Sequence, residues 1–214
     1  AADGVTVQPL AATDFSRPLA RVTLDGAPAV ALPVTRRRFE DLAATGLAAE
    51  AAGVARWTLD TATEYAKVRE QFGKPIGSFQ AIKHMCAEML LRAQQVSTSA
   101  ADAAVAASAH VAGPAAPDGD DDGQLSIAAA IAAAIGIGGA KANAKDCIQV
   151  LGGIGFTHEH DAHLYLRRAM SLRSLMDGSD LAAPTVARAC GSRRVITPTS
   201  SSSARSPSCR VATR

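Results

Sequence analysis

The sequence predicts a mainly α protein, a bundle of long helices entered from a short β remnant. Three observations predict it. Hydrophobic residues fill 48% of the 214 positions but aromatics only 4%, so a core must be built from Ala, Leu, Ile and Val. That alanine density favours helix and close helix packing. Apolar residues also recur at threes and fours over stretches much longer than one ordinary helix. Gly and Pro punctuate the chain mainly between those stretches.

The elements follow in order. Residues 1–34 read as β remnant, with runs at Val5-Thr6-Val7, Leu19 to Leu24 and Ala29 to Leu32, and Asp25-Gly26 as a turn signal. So few strands do not make a stable sheet alone. The chain begins at Ala1 without an initiating Met, and it reads as lacking the front of a larger β domain. A helix is expected from Thr35 to about Arg69, with Phe39, Leu42, Ala43, Leu47, Val54, Trp57, Leu59 and Tyr65 at mixed threes and fours. A helix of that size is about 52 Å long, which is bundle length. After a break at Gly73 and Pro75, Ser78 is placed to cap a second helix from about Phe79 to Ala112. Its face carries Ile82, Met85, Met89, Leu90 and Val96. Gly113 to Gly123 reads as an acidic connecting loop. A third helix is expected from Leu125 to Leu151, stopped by Gly152-Gly153, and a fourth from Glu159 to Leu175. Residues 181–214, with their serine run, read as a disordered tail, and an altered reading frame there is the alternative. The helical unit thus spans residues 35–180.

Composition excludes several classes. With 22 basic and 20 acidic residues the net charge is +2, which gives no general pull toward nucleic acid or membrane. The longest apolar run, Ile127 to Ile137, is too short for a bilayer span. No signal peptide is legible. Cys86, Cys147, Cys190 and Cys209 are widely spaced, which fits a reducing cytoplasm rather than a disulfide scaffold or zinc site.

Four segments could carry chemistry. The helix break places Arg69, Gln71, Phe72 and Gln80 around Gly73 and Pro75. A connection needs the glycine and proline but not a guanidinium, an aromatic ring and two amides. Arg suits a pyrophosphate, and Phe can lie against a ring, so a planar anionic ligand competes with a plain capped junction. Gln149-Val150-Leu151-Gly152-Gly153 lets a backbone approach a phosphate, although alone it reads more simply as a helix stop. Thr157-His158-Glu159-His160-Asp161-Ala162-His163 looks metal-like, but the order matches no metal loop. At helical phase the three histidines diverge, so a polar helix start is expected and no metal. Gly136 to Lys141 is glycine-rich without a preceding strand, which points to helix packing.

Taken together, these segments resemble the C-terminal part of the acyl-CoA dehydrogenase family, in its actinobacterial form. The carrying residues are Tyr65 to Ile76, Phe79 to His84, Gln149 to Phe156 and Leu164 to Ala169, in matching order and spacing. The resemblance implies the C-terminal four-helix bundle of that fold, preceded by the end of its middle β domain. It implies FAD, an acyl-CoA substrate, α,β-desaturation with hydride transfer to FAD, an electron-transfer flavoprotein or similar acceptor, and a homo- or hetero-tetramer. Arg69, Gln71, Phe72, Ile76, Phe79 and Gln80 would face the FAD diphosphate and adenosine. Gln149, Val150, Leu151, Gly152 and Gly153 would reach the FAD of a neighbouring subunit. The family's catalytic Glu falls at Met176, so Asp177 is the candidate base. A second family position falls near Ala43, where Glu40, Asp41 and Glu50 are the nearest carboxylates but out of phase. A base-lacking subunit that completes a partner's FAD site, or an inactive fragment, is the alternative reading.

Overall fold

The computed structural model describes residues 3–32, 34–112 and 123–175. The tail, Asp177 and the acidic loop except Gly123 lie outside the described residues. Strands β1 (Val5–Leu10) and β2 (Leu19–Leu24) pair antiparallel, with Val5 opposite Leu24 and Leu10 opposite Leu19. The expected third run, Ala29 to Leu32, forms no strand. Val30 and Leu32 stay 89% and 71% exposed, so nothing among the described residues pairs or covers them.

Helix α1 (Arg36–Val68) starts at Thr35, whose hydroxyl accepts from Arg38 N–H. Helix α2 (Gln80–Ala112) and helix α3 (Gln124–Leu151) pack on α1 and on each other. The shorter α4 (Ala162–Leu175) closes the bundle against α3 and α1.

The stripe that α1 buries is alanine. Ala44, Ala48, Ala51, Ala55, Ala62 and Ala66 are buried, while Phe39 stays exposed and Ala43 faces out. Large residues suggested the helix from the sequence, but small ones decide its seam, because a methyl side chain lets backbones close in. One end of the core is larger in side chain, with Val54, Leu59, Met89, Val96, Ile148 and Leu172. The other end is nearly all alanine, with Ala48, Ala100, Ala103, Ala106, Ala128 and Ala132 around Leu125. Gly136 and Gly139 serve this packing. A Cβ on Gly139 would lie 2.6 Å from Val96 Cγ2.

Two boundaries differ from the sequence reading. Ser78 does not cap α2. It ends a 3-10 turn, Ile76–Ser78, and Phe79 occupies the extended position before the helix, its carbonyl accepting from Lys83 N–H. Helix α4 begins at Ala162 rather than Glu159, because Thr157 and His160 turn their side chains onto local backbone N–H groups of Glu159 and Ala162.

By length and composition alone, Gln124–Phe156 could cross a membrane, an apolar stretch longer than the Ile127 to Ile137 run. One face of it is bundle core, with Ala128, Ala132, Ala140, Ala144 and Leu151 buried, while Ile131 and Ile135 stay exposed.

Candidate functional site

The break between α1 and α2 is a miniature hairpin, a feature the sequence reading missed. Strands β3 (Glu70–Gln71) and β4 (Lys74–Pro75) pair, with Gln71 opposite Lys74. Phe72 and Gly73 form the turn, with φ of 55° and 76°. Positive φ at both central residues is the type I′ arrangement, which normally takes Asn-Gly. Gly73 meets that demand without strain, whereas Phe72 holds a conformation costly for a bulky residue.

The hairpin is fastened at its base. Arg69 N–H donates to Tyr65 O, Ile76 N–H donates to Arg69 O at 2.7 Å, and Phe79 N–H donates to Ile76 O. Gly77 allows this seat, since a Cβ there would come within 2.8 Å of Ala66 O.

Its functional groups point away from the protein. Phe72 is 90% exposed and meets Phe79 edge to face at 6.1 Å. Lys74 Nζ lies 4.5 Å over the Phe79 ring. Arg69 and Gln71 are exposed, and among the described residues neither side chain has a hydrogen-bond or ion-pair partner. Ile76 and Phe79 are half-buried. Gln80 is exposed but shares a 3.0 Å contact with His84 Nε2.

The second segment closes α3. Gly152 (φ 64°) directs its N–H to Gln149 O and Ile148 O, and the chain continues as a 3-10 turn, Gly152–Phe156. Gln149 and Gly153 are exposed. Val150 and Leu151 are 3% and 2% exposed members of the core, so only their backbone is available to a ligand. Gly155 packs so that a Cβ would meet Ile148 O at 2.8 Å, but around Gly153 a Cβ would meet nothing within 4 Å. Gly153 also lacks a positive φ. Nothing among the described residues therefore requires glycine at that position.

The hairpin rests on α1 and α2, and the glycine segment rests on α3 and α4, so the two stand on separate supports. The carboxylates near Ala43 are all engaged. Glu40 accepts from Arg36 at 2.7 Å, buried Asp41 accepts from Ser126 Oγ, and Glu50 pairs with Arg17 and Arg168. Among the described residues no three His, Cys, Asp or Glu side chains gather as metal ligands.

Sequence reasoning also missed an ionic joint. Arg168 on α4 reaches Asp14 at 2.9 Å and Glu50 at 2.8 Å, and donates to Ser16 Oγ. Arg17 holds the other Glu50 oxygen at 2.8 Å. Arg167 donates to Thr13 O and lies over the Phe15 ring. The β1–β2 connection is thereby fixed to α1 and α4. Beside it opens a groove of about 560 Å³, lined by Ser16, Glu50, Trp57, Tyr165 and Arg168 among others. Trp57 and Tyr165 stack there at 3.6 Å with 3° between rings. Burial and the Asp161 charge raise the Tyr165 phenol above its ordinary range. The adjacent arginines were legible as charge, but no local pattern links them to residues some 150 positions earlier.

Comparison with known proteins gives a consistent result. Residues 32–189 match the family described as acyl-CoA dehydrogenase, C-terminal domain. The chain is 67% identical over 180 residues to acyl-CoA dehydrogenase FadE34 of Mycobacterium tuberculosis, covering 84% of this chain and 24% of that one. It is 38% identical to acyl-CoA dehydrogenase IpdE2 of the same organism, covering 80% of this chain and 48% of that one. Among solved structures, the Tcur3481-Tcur3483 steroid ACAD G363A variant superposes with a TM-score of 0.77 at 27% identity, covering 89% of this chain and 49% of the other. The ChsE4-ChsE5 complex from Mycobacterium tuberculosis superposes with a TM-score of 0.76 at 25% identity, covering 91% and 51%. The chain thus spans about a quarter of the first relative and about half of the second.

Proposed function

The chain belongs to the acyl-CoA dehydrogenase family, and from that premise we propose that it forms one wall of an FAD site in an acyl-CoA-desaturating flavoprotein. The reading takes residues 1–34 as the end of a β domain and 35–180 as the bundle.

The observation that carries it is the α1–α2 hairpin. Arg69 and Gln71 stand exposed and, among the described residues, unpartnered beside Phe72, which is held in a strained, 90% exposed position. Strain and exposure without an internal partner fit a surface completed from outside. Arg69 would bind the diphosphate through its planar fork, with Gln71 and Gln80 as hydrogen-bonding neighbours and Phe72 and Phe79 as apolar contacts. Ile76 would support that surface from beneath. At the second segment, Gln149 would offer its amide, Val150 and Leu151 only backbone, and Gly152 and Gly153 a surface free of Cβ. Separate supports fit sites shared between two subunits, as a tetramer would provide. When bound, FAD would accept hydride from the acyl-CoA β-carbon and pass electrons to an electron-transfer flavoprotein or similar acceptor. The compartment we assign is the cytoplasm.

A second reading rests on a specific observation: Glu40, Asp41 and Glu50 are each tied to a partner. The resemblance would place the family's catalytic Glu at Met176. Asp177 is the remaining candidate base in that region. Without it, the chain would complete the flavin site of a base-bearing partner, an arrangement for which the ChsE4-ChsE5 complex offers a comparison. The steroid-directed neighbour makes a steroid side-chain CoA ester the first substrate to try.

The test is flavin content of the purified protein, expressed with the rest of its dehydrogenase unit, against Arg69→Ala and Gln149→Ala. Loss of flavin absorbance in both supports the reading. Full retention in both overturns it. Bleaching by acyl-CoA that survives Asp177→Asn would remove that residue as the base.

A further inference from the structure

The run from Thr157 to His163 is not helical at its start, and this changes where its histidines point. Residues 157–161 form turns that bring His158 back over the first turn of α4. His158 and His163 stand edge to face, with ring centroids 4.8 Å apart and an interplanar angle of 84°. His158 Nδ1 lies 3.4 Å from His163 Nε2. The divergence expected from helical phase therefore does not occur for this pair. We propose that His158 and His163 form a two-histidine site for a borderline divalent transition-metal cation such as Ni2+ or Zn2+.

Three features of the geometry support it. His163 Nδ1 lies 2.8 Å from His160 O. A carbonyl only accepts, so Nδ1 carries the proton and Nε2 presents its lone pair toward His158. Metal-binding histidines are oriented in this way by a second hydrogen bond to backbone. The 3.4 Å gap is also long for a direct hydrogen bond. Two imidazole nitrogens about 2.0–2.1 Å from a tetrahedral cation stand roughly 3.3–3.4 Å apart, which matches the gap. Finally, His158 is exposed and His163 half-buried, so a cation has an entry path past His158 and water can fill the remaining positions.

His160 is not a third ligand. Its Nδ1 accepts from Ala162 N–H at 3.1 Å, and its ring packs edge-on against Trp57 at 6.3 Å. Imidazole pairs suit Ni2+, Cu2+ and Zn2+ over the oxygen-seeking Mg2+ and Ca2+. A cation here would tie the turn that follows the glycine segment to the start of α4.

The experiment is calorimetric titration of the 214-residue chain with NiCl2 under reducing conditions, compared with His158→Ala, His163→Ala and His84→Ala. The expected result is one micromolar site, weakened at least tenfold by either of the first two substitutions and unchanged by the third. Either no binding up to millimolar Ni2+, or wild-type affinity in His158→Ala or His163→Ala, overturns the proposal. His158 is an exposed turn residue and His163 a half-buried residue of the first turn of α4, and matching far-UV circular dichroism and melting temperature will verify that the variants fold.

Discussion

Arg92 on α2 donates from Nε to Asn143 Oδ1 on α3 at 2.9 Å, and that single contact closes a three-helix knot. The fully buried Asn143 amide donates to Ala55 O on α1 at 3.1 Å and to Met89 O on α2 at 2.9 Å. Arg92 also holds Asp146. The α3 amide thus satisfies groups from α1 and α2 and ties the three long helices together in an otherwise apolar part of the core.

Replacing Asn143 by Ala leaves an arginine contact and two carbonyl bonds unmade and opens a small void. Expected destabilisation is about 2–4 kcal/mol, since each unsatisfied buried group costs on the order of 1–3 kcal/mol and the losses overlap. The urea unfolding midpoint measures it. A change below about 0.5 kcal/mol would mean the knot contributes little net energy.

Phe72→Asn turns Phe-Gly into the Asn-Gly pair that a type I′ turn prefers. Left-handed backbone costs a bulky residue on the order of 1 kcal/mol, which Asn largely avoids. The variant should therefore be equally or slightly more stable, by up to about 1 kcal/mol, while flavin retention falls. Thermal melts and flavin absorbance are read on the same sample. Loss of stability would contradict the strain argument, and unchanged flavin would remove Phe72 from the site.

Arg168→Ala should free the β1–β2 connection from the bundle. Arg168 and Asp14 side chains are 14% and 5% exposed, so the deletion strands a buried carboxylate. The local cost is about 2–3 kcal/mol, below the fully buried range because Glu50 stays partly wet. Amide exchange should quicken in residues 5–24 and hardly change in α2. Uniform quickening across the bundle would show instead that the joint supports the whole fold.

Burial pushes the Cys147 thiol up to about 12, with a smaller contribution from Cys86. The unfolded thiol ionises near its ordinary value of 9. Between those values the folded state holds more protons than the unfolded state, so stability falls as pH rises from about 9 toward 12. Replacing Cys147 by Ala should flatten that alkaline slope. In the native protein at pH 8, Cys147 should resist thiol reagents until unfolding, and rapid modification under native conditions would sink this account.

Much of the architecture was legible in the sequence because it rests on local rules. Periodicity located four helices to within a few residues, and Gly152 marked the end of α3 because a positive φ is needed there. The paired segments at Arg69 to Gln80 and Gln149 to Gly153 identified the family, since their residue types exceed what helix ends require. Ala29 to Leu32 misled because strand propensity does not supply a pairing partner. Ser78 misled because it ends a 3-10 turn, so that Phe79 takes the extended position before α2 and the helix begins at Gln80. Asp177 lies outside the described residues, so its role rests on sequence alone.

The sequence by itself determined the helices and the family, and it nominated the residues proposed to carry the chemistry. Only the tertiary structure decided their disposition. It placed Phe72 at the tip of a strained hairpin, put Val150 and Leu151 in the core, joined Arg168 to Asp14 and Glu50, and turned His158 toward His163. The physical reason is that propensity and periodicity act over a few residues, whereas these relationships depend on how non-local segments pack and on where the chain leaves the helix.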